Sequence, residues 1–179
     1  MRKILTSILL TTAILFNIAG CSKEKTPSTD YRTYIGKVDY SAPVCALVYE
    51  QIPGEEEGFY GIEYREVSDP ETMLSYCHDT PMCLYFYNSL DSDSEGVTAG
   101  IEDLAQTLDG QVVFFAVDGI FEELIGATYA VEAYPEFVLL RPGQSPEKFE
   151  GHLREEWTMD DVAIWIESFG FTPDYGKLA

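Results

Sequence analysis

Apolar and polar positions along this chain fall into blocks of contrasting period. Residues 61–67 alternate, which predicts a strand with one polar side. Met82–Tyr87 is a continuous apolar run of strand length, as expected of a strand covered on both faces. From Ser94 the period lengthens. Val97, Ile101, Leu104 and Leu108 recur on one helical stripe, and Asp109-Gly110 ends it. A second buried strand is predicted over 112–117, a helix over 121–129, a third strand over 137–140 turned by Pro142-Gly143, and a short edge strand over 148–151. Asp69-Pro70-Glu71 opens a short helix reaching Cys77, with Asp as N-cap and Pro in the first turn, and Asp79-Thr80-Pro81 is a turn. Thr158 and Asp161 have the spacing of a capping box, and Val162, Trp165, Ile166 and Phe169 give the last helix its apolar face. The order β-α-β-α-β-α-β-β-α mixes crossovers with a terminal hairpin. It predicts an α/β fold with a central mixed sheet covered on both sides by helices.

The N-terminal part reads differently. Arg2 and Lys3 precede an apolar run over 4–18, and Ile18-Ala19-Gly20-Cys21 closes it with small residues before a cysteine. The run is short for a transmembrane helix and has the form of a secretory signal over 1–20. Its last four residues resemble the lipobox of bacterial lipoproteins. That resemblance implies diacylglycerol on the Cys21 sulfur, cleavage before it, and anchorage by several acyl chains on the extracytoplasmic face of a cell-envelope membrane. Residues 21–30 read as a polar tether. Over 31–58, Tyr31, Tyr34, Tyr40 and Tyr49 punctuate short apolar runs, and 53–58 (PGEEEG) is a turn signal. This predicts an N-terminal β-type extension of one or two strands. The regular pattern then occupies 59–171, leaving 172–179 as a C-terminal tail.

Charge narrows the partners. The chain has 11 Lys and Arg against 31 Asp and Glu, a formal net charge of −20. Between Arg65 and Arg141 there is no Lys or Arg, yet that stretch holds 15 Asp and Glu. Such a field repels nucleic acid and anionic headgroups. It suits a cationic protein partner, divalent ions, or solubility alone. The oligomeric state is left open by the sequence.

The strand at 82–87 runs into the helix through Asp91-Ser92-Asp93-Ser94, and 128–143 (TYAVEAYPEFVLLRPG) gives a helix end, a turn, a proline and a buried strand. The order and spacing of these stretches resemble the thioredoxin family. The strand ending at Asp118, the run 129–135 before Pro135, and 149–151 with the final helix (in the style of protein disulfide isomerase domains) match in the same register. The resemblance spans about 61–169 and implies a thioredoxin-like three-layer α/β/α fold. In that family the junction carries Cys-x-x-Cys. Carried over residue by residue, Asp91 stands where the nucleophilic cysteine would be and Ser94 where the resolving one would be. Neither a carboxylate nor a hydroxyl forms a mixed disulfide. The resemblance therefore implies a redox fold without catalytic residues or cofactor, and a non-catalytic peptide-binding, chaperone-like or scaffold module. Asp91, Ser92, Asp93 and Ser94 would cap the helix and favour its positive end. Pro135, implied to be cis, would with Tyr134 present backbone groups that pair with an extended peptide.

Two other arrangements compete. Residues 91–102 nearly satisfy a calcium-loop pattern, with Gly96 at position six and Glu102 at position twelve. A helix from Ser94 would carry Glu102 about 12 Å away, too far to close one ion site. Cys77 and Cys83 bracket a turn containing His78. They allow a structural disulfide, a thiol-disulfide oxidoreductase working through a pair tuned by His78, or two buried thiols. With Cys45 the count after Cys21 is odd, so at least one thiol is free or bonded to another molecule. The two histidines lie far apart in sequence, so no metal site is predicted. No Ser/His/Asp arrangement or phosphate loop supports a hydrolase or nucleotide reading.

Overall fold

The structure is a computed structural model, and it describes residues 26–90 and 95–178. The strands are β1 (Ile35–Val38), β2 (Val44–Gln51), β3 (Tyr60–Val67), β4 (Met82–Tyr87), β5 (Val113–Asp118), β6 (Glu136–Leu140) and β7 (Glu147–Phe149). The helices are α1 (Pro70–Tyr76), α2 (Glu95–Thr107), α3 (Glu123–Thr128) and α4 (Met159–Glu167). All seven strands join one sheet in the order β1-β3-β2-β5-β4-β6-β7. β4 and β5 are parallel, in register from Met82↔Val113 to Tyr87↔Asp118, and the other pairings are antiparallel. The mixed sheet and the three-layer α/β/α arrangement are those the sequence predicts.

Strand alternation divides the core in two. Cys83, Tyr85, Phe114, Ala116, Phe137 and Leu139 face one side, where Ile101, Leu104 and Leu108 of α2 and Val162 and Ile166 of α4 cover them. Met82, Leu84, Phe86, Phe115, Val117 and Val138 face the other, under Met73 of α1, Ile125 of α3 and Tyr34. Burying each of the larger side chains contributes about 2–3 kcal/mol relative to exposure. Local signals work as expected at both ends. Asp69 Oδ1 accepts from the Thr72 amide at 3.2 Å, and Asp161 Oδ2 accepts from the Thr158 amide at 2.8 Å. α3 is shorter than predicted, because the Phe121 and Glu122 amides both turn back to the Asp118 carbonyl before the helix begins. β7 stops at Phe149, where a 3-10 turn over Gly151–Leu153 packs against Trp157.

The N-terminal extension supplies two strands, as the sequence predicts. β1 is the sheet edge, but β2 lies inside the sheet, antiparallel to both β3 and β5. It separates β3 from the parallel pair. Its residues explain this: Val44, Cys45, Ala46 and Leu47 are all buried, so both faces of β2 need cover. Residues 31–58 are thus built into the core rather than appended to it.

The parallel pair gives the sheet two unlike ends. At the ends where β4 and β5 begin, Tyr31, Arg32, Asp79–Pro81 and Gly110–Val113 surround a cavity of about 350 Å³. At the ends where they finish, Asp118 and Gly119 donate to the Pro43 and Tyr87 carbonyls at 2.8 and 2.9 Å. β6 starts at this second end with Glu136, whose side chain is fully buried. Lys148 Nζ lies 2.7 Å from Glu136 Oε1 and 3.5 Å from Glu150, and donates to the Ala130 carbonyl at 2.8 Å. Burial works to lower the Lys148 ammonium, yet its hydrogen bond to Glu136 and both carboxylate charges hold it above the ordinary lysine value. The pair ties β7 to β6 and to the loop after α3. Removing one partner leaves a buried charge uncompensated. Glu136→Ala is expected to lower stability by about 3 kcal/mol, and Glu136→Leu combined with Lys148→Met to recover most of that loss, both read by urea unfolding.

Candidate functional site

The end of the sheet at which β4 and β5 finish carries Tyr134 and Pro135, two of the residues that the sequence singles out. The Tyr134–Pro135 peptide bond is cis and directly precedes β6. The Tyr134 ring lies over Gly119, where a Cβ would come within 2.2 Å of it. A glycine at 119 is therefore what lets Tyr134 take this place. Asp118, at the end of β5, is buried, and its Oδ1 accepts from the Ile120 amide at 3.1 Å. Burial raises the Tyr134 hydroxyl above its usual value, and the negative charges of Asp118 and Glu123 add to this. Burial likewise raises the Glu122 carboxyl, reinforced by Glu71 and Asp118. Leu90, Ile120 and Phe121 follow the ends of β4 and β5 and are exposed, Phe121 by 69%. The rim is thus apolar in its exposed side chains and acidic in its charge. Asp91, Ser92, Asp93 and Ser94 lie outside the described residues, as does Cys21.

On the α2 side of the sheet, tyrosines line its surface. Tyr85 stacks on Tyr87 with ring centroids 5.6 Å apart, and Tyr40 lies 5.5 Å from Tyr64. The Tyr64 hydroxyl donates to Glu102 Oε1 and the Tyr40 hydroxyl to Glu63 Oε2, each at 2.8 Å. Glu102, the last position of the calcium-loop pattern, is therefore on α2 and engaged with Tyr64. Among the described residues, no group of three or more His, Cys, Asp or Glu side chains converges to hold a metal ion.

The three cysteines of the described residues stand as separate buried thiols. Cys45, Cys77 and Cys83 are all free and buried, so the disulfide allowed between Cys77 and Cys83 is not made. Alternation along β4 is the reason. Cys77 packs on the α1 side of the sheet beside Met82, whereas Cys83 points to the α2 side. The sheet itself stands between the two thiols. Burial alone pushes the Cys83 thiol well above its ordinary value. Burial also raises Cys77, with Asp30 and Asp79 adding to it. Cys45 is pushed up to about 11 by burial first and then by Asp39 and Glu66, while its thiol donates to the Asp39 and Ala42 carbonyls at 3.2 and 3.4 Å. A nucleophilic thiol needs the opposite shift.

Sequence reasoning singled out Tyr134 and Pro135 and missed Gly119, Phe121 and the buried Glu136–Lys148 pair. The glycine following a strand-terminal aspartate was a signal for close approach. Nothing in the sequence paired Glu136 with Lys148, because the contact is made across two strands.

A family profile described as Thioredoxin matches residues 71–163 of the 179. Among solved structures, the germline-specific thioredoxin Deadhead of Drosophila melanogaster is similar at 19% identity and a TM-score of 0.47, covering 56% of this chain and 90% of that one. Schistosoma mansoni thioredoxin is similar at 18% identity and a TM-score of 0.47, covering 56% and 87%. Mitochondrial thioredoxin 3 of Saccharomyces cerevisiae gives 21% identity and a TM-score of 0.44, covering 50% and 79%. No curated protein matches the chain.

The thiol environment sets a pH dependence. The folded state holds the Cys45 proton until about pH 11, while the unfolded chain releases it near the ordinary value of 9.0. Between those values the unfolded state binds fewer protons, so stability falls as pH rises. The denaturation midpoint is expected to drop between pH 8.5 and 10.5, and to drop less in Cys45→Ala. At pH 7.5 a thiol reagent is expected to modify the three core cysteines of the native protein at least a hundredfold more slowly than in denaturant.

Proposed function

Because the chain belongs to the thioredoxin family, we propose that it keeps the family's peptide-facing rim and does not carry out thiol–disulfide exchange. In this reading it is a lipid-anchored, extracytoplasmic protein of the cell envelope that binds extended protein segments at the Tyr134–Pro135 rim. The observation that carries the proposal is the division between rim and thiols. The cis-Pro135 junction lies at the end of the sheet where exposed Leu90, Ile120 and Phe121 follow β4 and β5, while Cys45, Cys77 and Cys83 are buried with raised thiols. The chain contains no Cys-x-x-Cys, and in this reading Asp91 and Ser94 stand where the family resemblance would put the two cysteines.

An extended segment laid beside Tyr134 and Pro135 would pair its backbone with main-chain groups there, and its apolar side chains would reach Phe121 and Ile120. The carboxylates of Asp118, Glu122 and Glu123 favour a segment with Lys or Arg. Sequence reading of Ile18-Ala19-Gly20-Cys21 supports anchoring through Cys21, and no helix among the described residues is long and apolar enough to cross a membrane.

The test has two arms. In insulin reduction and scrambled-ribonuclease assays, the protein is expected to give no turnover above a variant lacking Cys45, Cys77 and Cys83; robust turnover sinks the reading. In fluorescence anisotropy with a labelled extended peptide rich in Lys and Leu, binding is expected to weaken at least fivefold in Phe121→Ser and to weaken with added salt. Equal binding by wild type and Phe121→Ser would remove the rim from the proposal.

A further inference from the structure

We propose that the groove between α1 and α3 is a second docking surface, and that its occupant is a short basic amphipathic helix of a partner protein. This goes beyond the rim at Tyr134 and Pro135 and does not rest on it.

Helical spacing builds the groove. Glu71, Leu74 and Ser75 share one face of α1, and Leu124, Ile125 and Thr128 one face of α3. These faces enclose a cavity of about 430 Å³. Leu74 and Tyr129 also line a second cavity of about 440 Å³, which continues past His78 to Leu140 and Pro146. The shared residues make the two cavities one groove. Ile125 is its buried floor, Leu74 and Tyr129 are half-buried, and Leu124 is 63% exposed. The hydroxyls on its walls are turned back onto their own helices. Ser75 Oγ donates to the Glu71 carbonyl at 2.7 Å, and Thr128 Oγ1 to the Leu124 carbonyl at 2.9 Å. The groove therefore presents mainly apolar surface.

Backbone hydrogen bonding selects a helix as the occupant. Both long walls are helices, whose amide and carbonyl groups point along the helix axes rather than into the groove. The neighbouring strand β6 is already paired on both edges, with β4 and β7. An extended chain would find no edge here and would leave its own backbone groups unpaired over an apolar floor. A helix arrives with those groups satisfied. The chain from Glu71 to His78 rises about 10 Å at helical pitch, which gives room for about two turns of a partner.

Charge sets the sign of that partner. Glu71 lines the groove, and Glu122 and Glu123 open α3. Burial raises the Glu122 carboxyl, and the charges of Glu71 and Asp118 add to this, so these carboxylates act on one another. Neither helix, nor the chain between them, contains a Lys or Arg. Arg141 lines the far end, but its guanidinium carbon lies 4.3 Å from the centre of the Phe169 ring, on the other face of the sheet. Lys148 is held by Glu136 and Glu150. A second copy of the chain would bring another net charge of −20, which opposes self-association. A helix with apolar residues on one face and Lys or Arg at the end lying over Glu71 and Glu122 complements both features.

The probe is a fluorescein-labelled, hydrocarbon-stapled helical peptide with Leu along one face and Lys at one end, titrated with the full chain and read by anisotropy. Binding is expected to weaken at least fivefold in Leu124→Ser, an exposed position where the fold tolerates the change, and at least threefold in Glu71→Gln. A peptide of the same composition with its Leu residues scattered around the helix is expected to bind at least fivefold more weakly. Equal binding of the scattered peptide would reduce the effect to non-specific charge and overturn the proposal, as would no binding of the probe. Phe121→Ser is expected to bind the probe within about twofold of wild type. A loss there as large as in Leu124→Ser would place the probe on the rim, overturning the groove and leaving the rim reading intact. A dimer in sedimentation equilibrium that Leu124→Ser dissociates would assign the groove to a second copy and overturn the heterologous partner.

Discussion

Two parallel strands buried on both faces set the terms for the rest of this molecule. β4 and β5 present apolar side chains above and below the sheet, so neither face can meet water. A parallel pair also cannot be closed by a tight turn, so α2 must cross over one face, and the second face needs helices of its own. The three layers follow from those two needs. So does the polarity of the molecule, because a parallel pair starts at one end and finishes at the other.

Local physics made much of this legible before any coordinates. The caps at Asp69 and Thr158, the stripe from Val97 to Leu108 and the apolar run over β4 are short-range signals, and each produced the expected element. The place of β2 was not legible in the same way. The apolar run over 44–48 identifies a buried strand, but which strands it pairs with is decided by contacts far along the chain. Its register with Phe114 and Val117 joins residues about seventy positions apart. The Glu136–Lys148 pair was hidden for a related reason, since strand register alone brings the two together.

The same alternation that builds the core accounts for the state of the thiols. On β4, odd positions face α2 and even positions face α1. A disulfide between Cys77 and Cys83 would need one of them to cross the sheet. A one-residue shift in β4 would bring the thiols to the same side, but it would also turn Leu84 and Phe86 out of their cluster. The cost of that exchange is several large apolar side chains against a single bond. Separation of the thiols is therefore a consequence of packing.

What remains fixed at the rim is informative for the same reason. A fold that used this end only as a cap could close it with any compact turn. Instead Tyr134 lies over a residue with no side chain, the next residue but one is a buried carboxylate, and that carboxylate is matched by a lysine from the adjacent strand which also holds the Ala130 carbonyl. Burying a carboxylate there is costly unless its partner is held in place. The arrangement constrains the 130–135 loop from both of its ends while Phe121 and Leu90 stay in water, where exposure of large apolar groups brings no stability. The proposed recognition of an extended chain rests on this arrangement, since a rim already held in shape loses little further entropy on binding.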